Sequence, residues 1–220
     1  MVSIYTAPEV AKVIALNPAL MGSEFRTLSI ADQIQQQAQV ILQAHHAGDE
    51  RIAMHVRSWW PNARGQSLGD ILHGPFSETD ALLTMSREYG FASWEDVQRL
   101  KDLAPDPTFE TALDCVMSGN LDGLSAYLKN TPSLIRERSR YGHGATLLHY
   151  VGANGVESHR QVTPSNIVAV AKLLISHGAQ RDATAQIYGG GQTPYDLAST
   201  SAHPHNAGVA DQLNQVLKLP

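Results

Sequence analysis

Tyr141-Gly142-His143-Gly144-Ala145-Thr146 is echoed by Tyr188-Gly189-Gly190-Gly191-Gln192-Thr193 at an offset of 47 residues, with agreement at Tyr, Gly, Gly and Thr. Leu128 and Leu174 recur at an offset of 46, so a whole unit repeats rather than one motif. Thr146 and Thr193 each precede a short apolar run and read as helix N-caps, and Pro194 falls at the first helical position, where its missing N–H costs nothing. Ile167, Val170, Ala171 and Leu174 follow the i, i+3, i+4, i+7 spacing of a half-buried helix, stopped by Gly178. Thr163-Pro164 resembles a cap device ahead of that helix.

These residues resemble the ankyrin repeat, whose pattern runs G-x-T-P-L-H-x-A-A-x-x-G and closes an outer helix with L-L-x-x-G-A. Gly144-x-Thr146-Leu147-Leu148-His149 and Gly191-x-Thr193-Pro194-Tyr195-Asp196-Leu197-Ala198 match the first part, and Leu173-Leu174-Ile175-Ser176-His177-Gly178-Ala179 the second. A degenerate earlier unit runs through Ala112, Leu113, Gly119, Leu121, Leu124, Tyr127 and Leu128. The expected fold is all-α: an ankyrin-type helix-pair repeat solenoid, with divergent N-terminal helical pairs as its cap. Three repeats are expected over residues 107–218. The unit is longer than the usual repeat of about 33 residues, and the surplus falls between inner and outer helix, at 156–163 and at 203–208.

Upstream, residues 1–29 mix Pro8, Pro18, Gly22 and Ser23 with short apolar pieces and read as an arm. Residues 30–104 read as a helical region. A helix is expected over 30–46, capped by Ser29, with another over about 49–60, and a loop over 61–75 with room for one short helical turn. Ser77 with Asp80 and Ser93 with Asp96 open a helical hairpin turned at Gly90. Ser86-Arg87-Glu88-Tyr89-Gly90-Phe91-Ala92-Ser93-Trp94, with Leu100-Lys101, resembles the R-E-x-G-F-x-S-W-x-x-L-K signature of prokaryotic ankyrin-like proteins. Ala104 to Pro107 is the expected boundary.

Composition narrows the function classes. The net charge is -5 and hydrophobic residues make up 43% of the chain, the balance of a folded protein rather than a disordered one. Residues 107–220 carry 8 basic and 8 acidic side chains, so they offer no basic footprint for nucleic acid. The single cysteine, Cys115, lies in an apolar run and is expected in the core, and the absence of a leader-like or membrane-spanning segment makes the cytoplasm the expected location. No nucleophile elbow, phosphate loop or dinucleotide fingerprint is present, so a non-catalytic binding or scaffold module with a protein partner is the leading expectation.

The ankyrin resemblance places binding residues at hairpin tips and exposed inner-helix positions, among them Arg140, His143, Asn154 and Gln192. Tyr188 starts the second hairpin, and Arg136, Arg138 and Arg140 alternate along the approach to the first. His149 is expected to hydrogen-bond neighbouring backbone. Trp59 and Trp60, adjacent on a helix, diverge and cannot face one core.

The alternative to a protein-binding surface is a small-molecule pocket or enzyme site on a shared rim. Glu157, His159 and Arg160 would come from the first insertion, and His203 and His205 from the second, with Asn154 and Tyr188 nearby. No metal is expected, because His203-x-His205 lacks the i, i+4 spacing of a helical zinc site, and no cofactor is expected.

Overall fold

Serine and threonine caps, each answered by an aspartate three residues later, open five of the helices in this chain. In the computed structural model, which describes residues 1–219, Ser29, Ser67, Ser77 and Ser93 accept the amides of Asp32, Asp70, Asp80 and Asp96. Thr193 accepts that of Asp196. At Ser67, Ser77 and Thr193 the aspartate returns the bond to the cap amide, which satisfies two orphan donors at once.

The chain is mostly helical, with four short strands among the described residues. It divides into two units, one of residues 8–105 and one made of residues 1–7 with 106–220. Residues 1–29, read as an arm, carry regular structure. They form strand β1 (Ile4–Thr6) and helices α1 (Pro8–Leu16) and α2 (Ser23–Thr27).

The unit of residues 8–105 continues with α3 (Ile30–His46), α4 (Ala53–Trp59), α5 (Leu68–His73), α6 (Glu78–Glu88) and α7 (Trp94–Gln98). Within 61–75, read as a loop with room for one short turn, the helical piece is Leu68–His73, with its own capping box at Ser67. Helix α3 buries Ile30, Ile34, Ala38 and Ile41 and packs along α6, which buries Ala81 and Met85. Two polar pairs lie inside: Gln37 donates to the Tyr89 hydroxyl at 2.6 Å, and His55 Nε2 meets Glu88 Oε2 at 3.0 Å. Helix α4 ends at Trp59, so the two tryptophans do not share a helix: Trp60 is buried, donates from Nε1 to Asp80 at 3.0 Å and stands edge-on to Phe76, while Trp59 is half-buried.

The second unit opens at Asp106, which caps α8 (Pro107–Ser118) through the amides of Thr108 and Phe109. Gly119, in the left-handed conformation at φ 69°, turns the chain into α9 (Leu121–Asn130). Then come α10 (Leu147–Tyr150), strand β2 (Val162–Pro164), α11 (Ile167–Ser176), strands β3 (Ala185–Ile187) and β4 (Gly190–Gln192), and helices α12 (Pro194–Thr200), α13 (Ala202–Asn206) and α14 (Ala210–Leu217). The helices form two rows: α10 packs on α8 and on α12, while α11 packs on α9 and on α14. Leu113, Leu124, Leu148, Val170, Leu174, Leu197 and Leu213 fill the space between the rows. Cys115 lies in this core, where burial, and then Asp114, raise its thiol pKa.

One cap expectation fails. Thr163-Pro164 does not start α11; both residues lie in β2, which pairs antiparallel with β1 in the register Ile4↔Pro164, Tyr5↔Thr163 and Thr6↔Val162. Helix α11 starts three residues later, after Asn166, which makes no side-chain cap bond. Among the described residues no helix is long and apolar enough to cross a membrane.

Candidate functional site

Two neighbouring features gather most of the singled-out residues: the hairpins that precede α10 and α12, and the insertion between α10 and α11. The hairpins are stitched together by backbone and arginine. The Gln186 amide donates to His143 O at 2.8 Å, and Arg138 Nη1 donates to Gly144 O at 2.7 Å and Thr184 O at 2.8 Å. His149 completes the link. Its Nδ1 accepts the Thr146 amide at 3.1 Å, and its Nε2 donates to Gln192 O at 3.2 Å. Burial first, with the Arg138 charge behind it, pushes the imidazole down to about 4, against the pull of its backbone carbonyl partners. His149 is thus a neutral strut at ordinary pH.

At the tip of the second hairpin, Tyr188 and Gly189 form a two-residue turn between β3 and β4, with φ of 55° and 80°. Two consecutive positive φ values suit the right-handed strand twist, but glycine and asparagine usually supply them. A tyrosine there is strained. Its hydroxyl donates to Asn154 Oδ1 at 2.5 Å, while Asn154 Nδ2 is itself held by Leu197 O and Thr200 Oγ1. Gly155 backs this contact so closely that an added Cβ would come within 2.2 Å of Ile187 Cγ2 and 3.2 Å of the Tyr188 ring. Even so, Tyr188 remains 65% exposed.

The first insertion turns inward. Glu157, His159 and Arg160 are all buried rather than lying on a rim shared with the second insertion. Arg160 Nη2 donates to Glu110 on α8, and its Nε lies 3.9 Å from Glu157 Oε1. The Tyr150 hydroxyl donates to Glu157 Oε1 at 3.3 Å, and His143 Nε2 stands 3.5 Å from Glu157 Oε2. His143 Nδ1 accepts the Ala145 amide, which leaves Nε2 as the N–H nitrogen facing the carboxylate. Burial alone would raise the Glu157 pKa, but His143, Arg160 and His159 outweigh it and hold the carboxyl at about 2. Burial and the same carboxylates push the Tyr150 phenol well above its ordinary range.

The remaining expected site residues separate. His143, expected at an exposed tip, is buried because Glu157 supplies a partner behind the hairpin. Arg140 is exposed and pairs with Asp106 at 3.0 Å. Gln192 is half-buried and contributes its carbonyl to His149. In the second insertion, α13 packs against both β1 and β2, with Asn206 Nδ2 donating to the Tyr5 hydroxyl at 3.2 Å. His203 is half-buried there and His205 exposed, whereas His159 is buried, so the insertion histidines are divided between interior and surface. Among the described residues no group of three or more side chains is placed to hold a metal ion.

Glu110 and Tyr150 are the members of the buried cluster that motif reading passes over. A register argument would have found one of them. At the 47-residue offset, Tyr150, Glu157 and Arg160 fall opposite Leu197, Pro204 and Ala207, so polar groups occupy places that are apolar in the following unit. No protein-family model, curated protein or solved structure matches this chain.

Proposed function

We propose that residues 107–217 are an ankyrin-type stack acting as a non-catalytic module that binds a protein partner through the hairpin tip at Tyr188. The two rows of helices, the hairpin ahead of α12 and the threonine caps at its repeated motif support the ankyrin reading.

The observation that carries the functional reading is Tyr188 itself: an aromatic side chain, 65% exposed and anchored by Asn154, in a backbone conformation that tyrosine rarely adopts. Tyrosine is favoured at interface hot spots because it offers a large contact area at small entropic cost, and less still when it is already held. The small-molecule or enzyme alternative is less well supported. His143 and Glu157, the groups with the most chemistry to offer, have side chains with no exposure to solvent.

The test places a photo-crosslinking residue at Tyr188 and, as control, at exposed Lys172 on α11. In extracts of the native host, the reading expects one defined protein adduct from position 188 and none from 172. Excess unmodified protein should compete it away and the Tyr188→Ala variant should not. Indistinguishable adducts from the two positions would remove the proposal.

A further inference from the structure

Within the unit of residues 8–105, an open cleft of about 500 Å³ lies among Arg57, Ser58, Trp59, Trp60, Pro61, Ala63, Arg64, Gly65 and Arg87. Three of these are arginines and none is acidic. They are brought together by the fold: Arg57 lies in the last turn of α4, Arg64 follows the short 3-10 turn Pro61–Ala63, and Arg87 lies in the last turn of α6.

The three guanidinium groups have no carboxylate. Each carries five N–H donors, and among the described residues none of Arg57, Arg64 or Arg87 makes a side-chain hydrogen bond or ion pair. Arg51 and Arg99 of the same unit behave differently, each holding an aspartate, Asp49 and Asp96. The contrast is sharper because residues 1–106 carry 13 acidic side chains against 8 basic ones. Acids are plentiful, yet three of the eight cations gather without one. Helix C-termini favour cations at two of the positions, but that field does not saturate guanidinium donors.

The rest of the lining is aromatic and stiff. Trp60 cannot swing away, since its Nε1 is committed to Asp80 and its ring to Phe76, and the half-buried Trp59 lines the same cleft. The volume falls in the usual range for small-molecule sites, roughly 300–1,000 Å³. Arginine forks suit phosphate oxygens, and indole suits a flat ring. One phosphomonoester brings about two negative charges, so three guanidinium groups call for a diphosphate rather than a single phosphate.

From this we infer that the cleft binds a small diphosphate ester carrying a flat ring, of the nucleoside diphosphate kind. The site is independent of the hairpin surface proposed above and stands or falls separately.

Isothermal titration of the full-length protein at low ionic strength tests it, with ADP, pyrophosphate and adenosine as probes. Saturable ADP binding is expected, with pyrophosphate weaker, adenosine weaker still, and intrinsic tryptophan fluorescence changing on ADP addition. Arg57→Gln and Arg87→Gln should each weaken ADP about tenfold, the size of one charge-assisted contact. The triple variant that adds Arg64→Gln should abolish binding, and Arg99→Gln should leave it unchanged. All four arginines are exposed, so far-ultraviolet circular dichroism should stay that of the parent. The inference is overturned if ADP does not saturate, if the triple variant binds as the parent does, if adenosine equals ADP, or if a phosphorylated peptide binds more tightly than ADP.

Discussion

His143 Nε2 and Glu157 Oε2 stand 3.5 Å apart with neither side chain exposed to solvent. A buried carboxylate is costly unless it is compensated, and here the compensation comes from His143, Arg160 and His159 together. Their net effect lowers the folded-state pKa from 4.5 to about 2. A depressed carboxyl contributes stability above its unfolded pKa and loses it as pH falls through the folded one. The window is therefore about 4.5 down to 2, and the contribution is on the order of 3 kcal/mol. Glu157→Gln should be less stable than the parent at neutral pH, and the gap should close as the pH approaches 2. Thermal melts across that range check it; a gap that stays constant would contradict the assignment.

Arg160 and Glu110 should behave as one buried unit. Arg160→Met leaves both Glu110 and Glu157 buried beside no arginine, so a loss of about 3–5 kcal/mol is expected. Glu110→Met should cost less, because Glu157 still faces the guanidinium. The double variant should fall well short of the sum, since it removes the charge that the first change strands. Denaturant unfolding of the four proteins gives the coupling directly; additive losses would mean that the pair is not coupled.

Strand β1 should hold the first insertion in place. Beyond its ladder with β2, the Ser165 amide donates to Ser3 O at 2.7 Å and the Ser3 amide to Ser165 Oγ at 3.2 Å. Deleting residues 2–7 should speed amide exchange over 162–165 by at least tenfold and destabilise the 106–220 unit by about 1–3 kcal/mol. Unchanged exchange at Thr163 and Ser165 would show that the ladder contributes nothing.

That strand also marks where sequence reading stops. Helix starts were legible because a cap and its answering aspartate lie three residues apart, as at Ser29, Ser77 and Thr193, and the repeat was legible from a local motif seen twice. A three-residue strand whose partner lies about 160 residues away leaves no periodic signal, so Ile4–Thr6 read as part of an arm and Thr163 as a cap. The buried cluster was half legible. Glu157, His159 and Arg160 drew notice as an insertion with chemistry, but their direction depends on Glu110, a charge set in the otherwise apolar buried face of α8. Nothing adjacent in sequence announces that a loop will turn inward to meet it. The arginine cleft was hidden for the same reason: Arg57, Arg64 and Arg87 have no common spacing, and only the packing of α4 on α6 collects them.

Gly155 should tolerate no side chain. At φ 71° an added Cβ would come within 2.2 Å of Ile187 Cγ2, so Gly155→Ala combines backbone strain with overpacking and should cost about 2–4 kcal/mol. Asn154→Ala should be milder in stability yet release Tyr188, which fluorescence anisotropy or ring-proton linewidths at Tyr188 would register. If the glycine variant melts with the parent, the hairpin does not pack against this turn as described.

The buried pair of the other unit predicts the opposite response to pH. His55 Nε2 lies 3.0 Å from Glu88 Oε2 with both side chains buried. Burial works against the imidazolium, but the Glu88 charge and hydrogen bond outweigh it and raise the His55 pKa above 6.5. A raised histidine contributes stability below its unfolded pKa of about 6.5 and loses it as pH rises through the folded value. Amides of α3 and α6 should therefore lose protection on mild alkalinisation beyond the ordinary base-catalysed increase. Glu88→Gln removes the pull and leaves only burial, so the His55 pKa should drop below 6.5 and the loss of stability should move to the acid side. Histidine ring titration by nuclear magnetic resonance, parent against variant, reads the direction at once; a shift in the same direction for both proteins would show that Glu88 is not what holds the His55 proton.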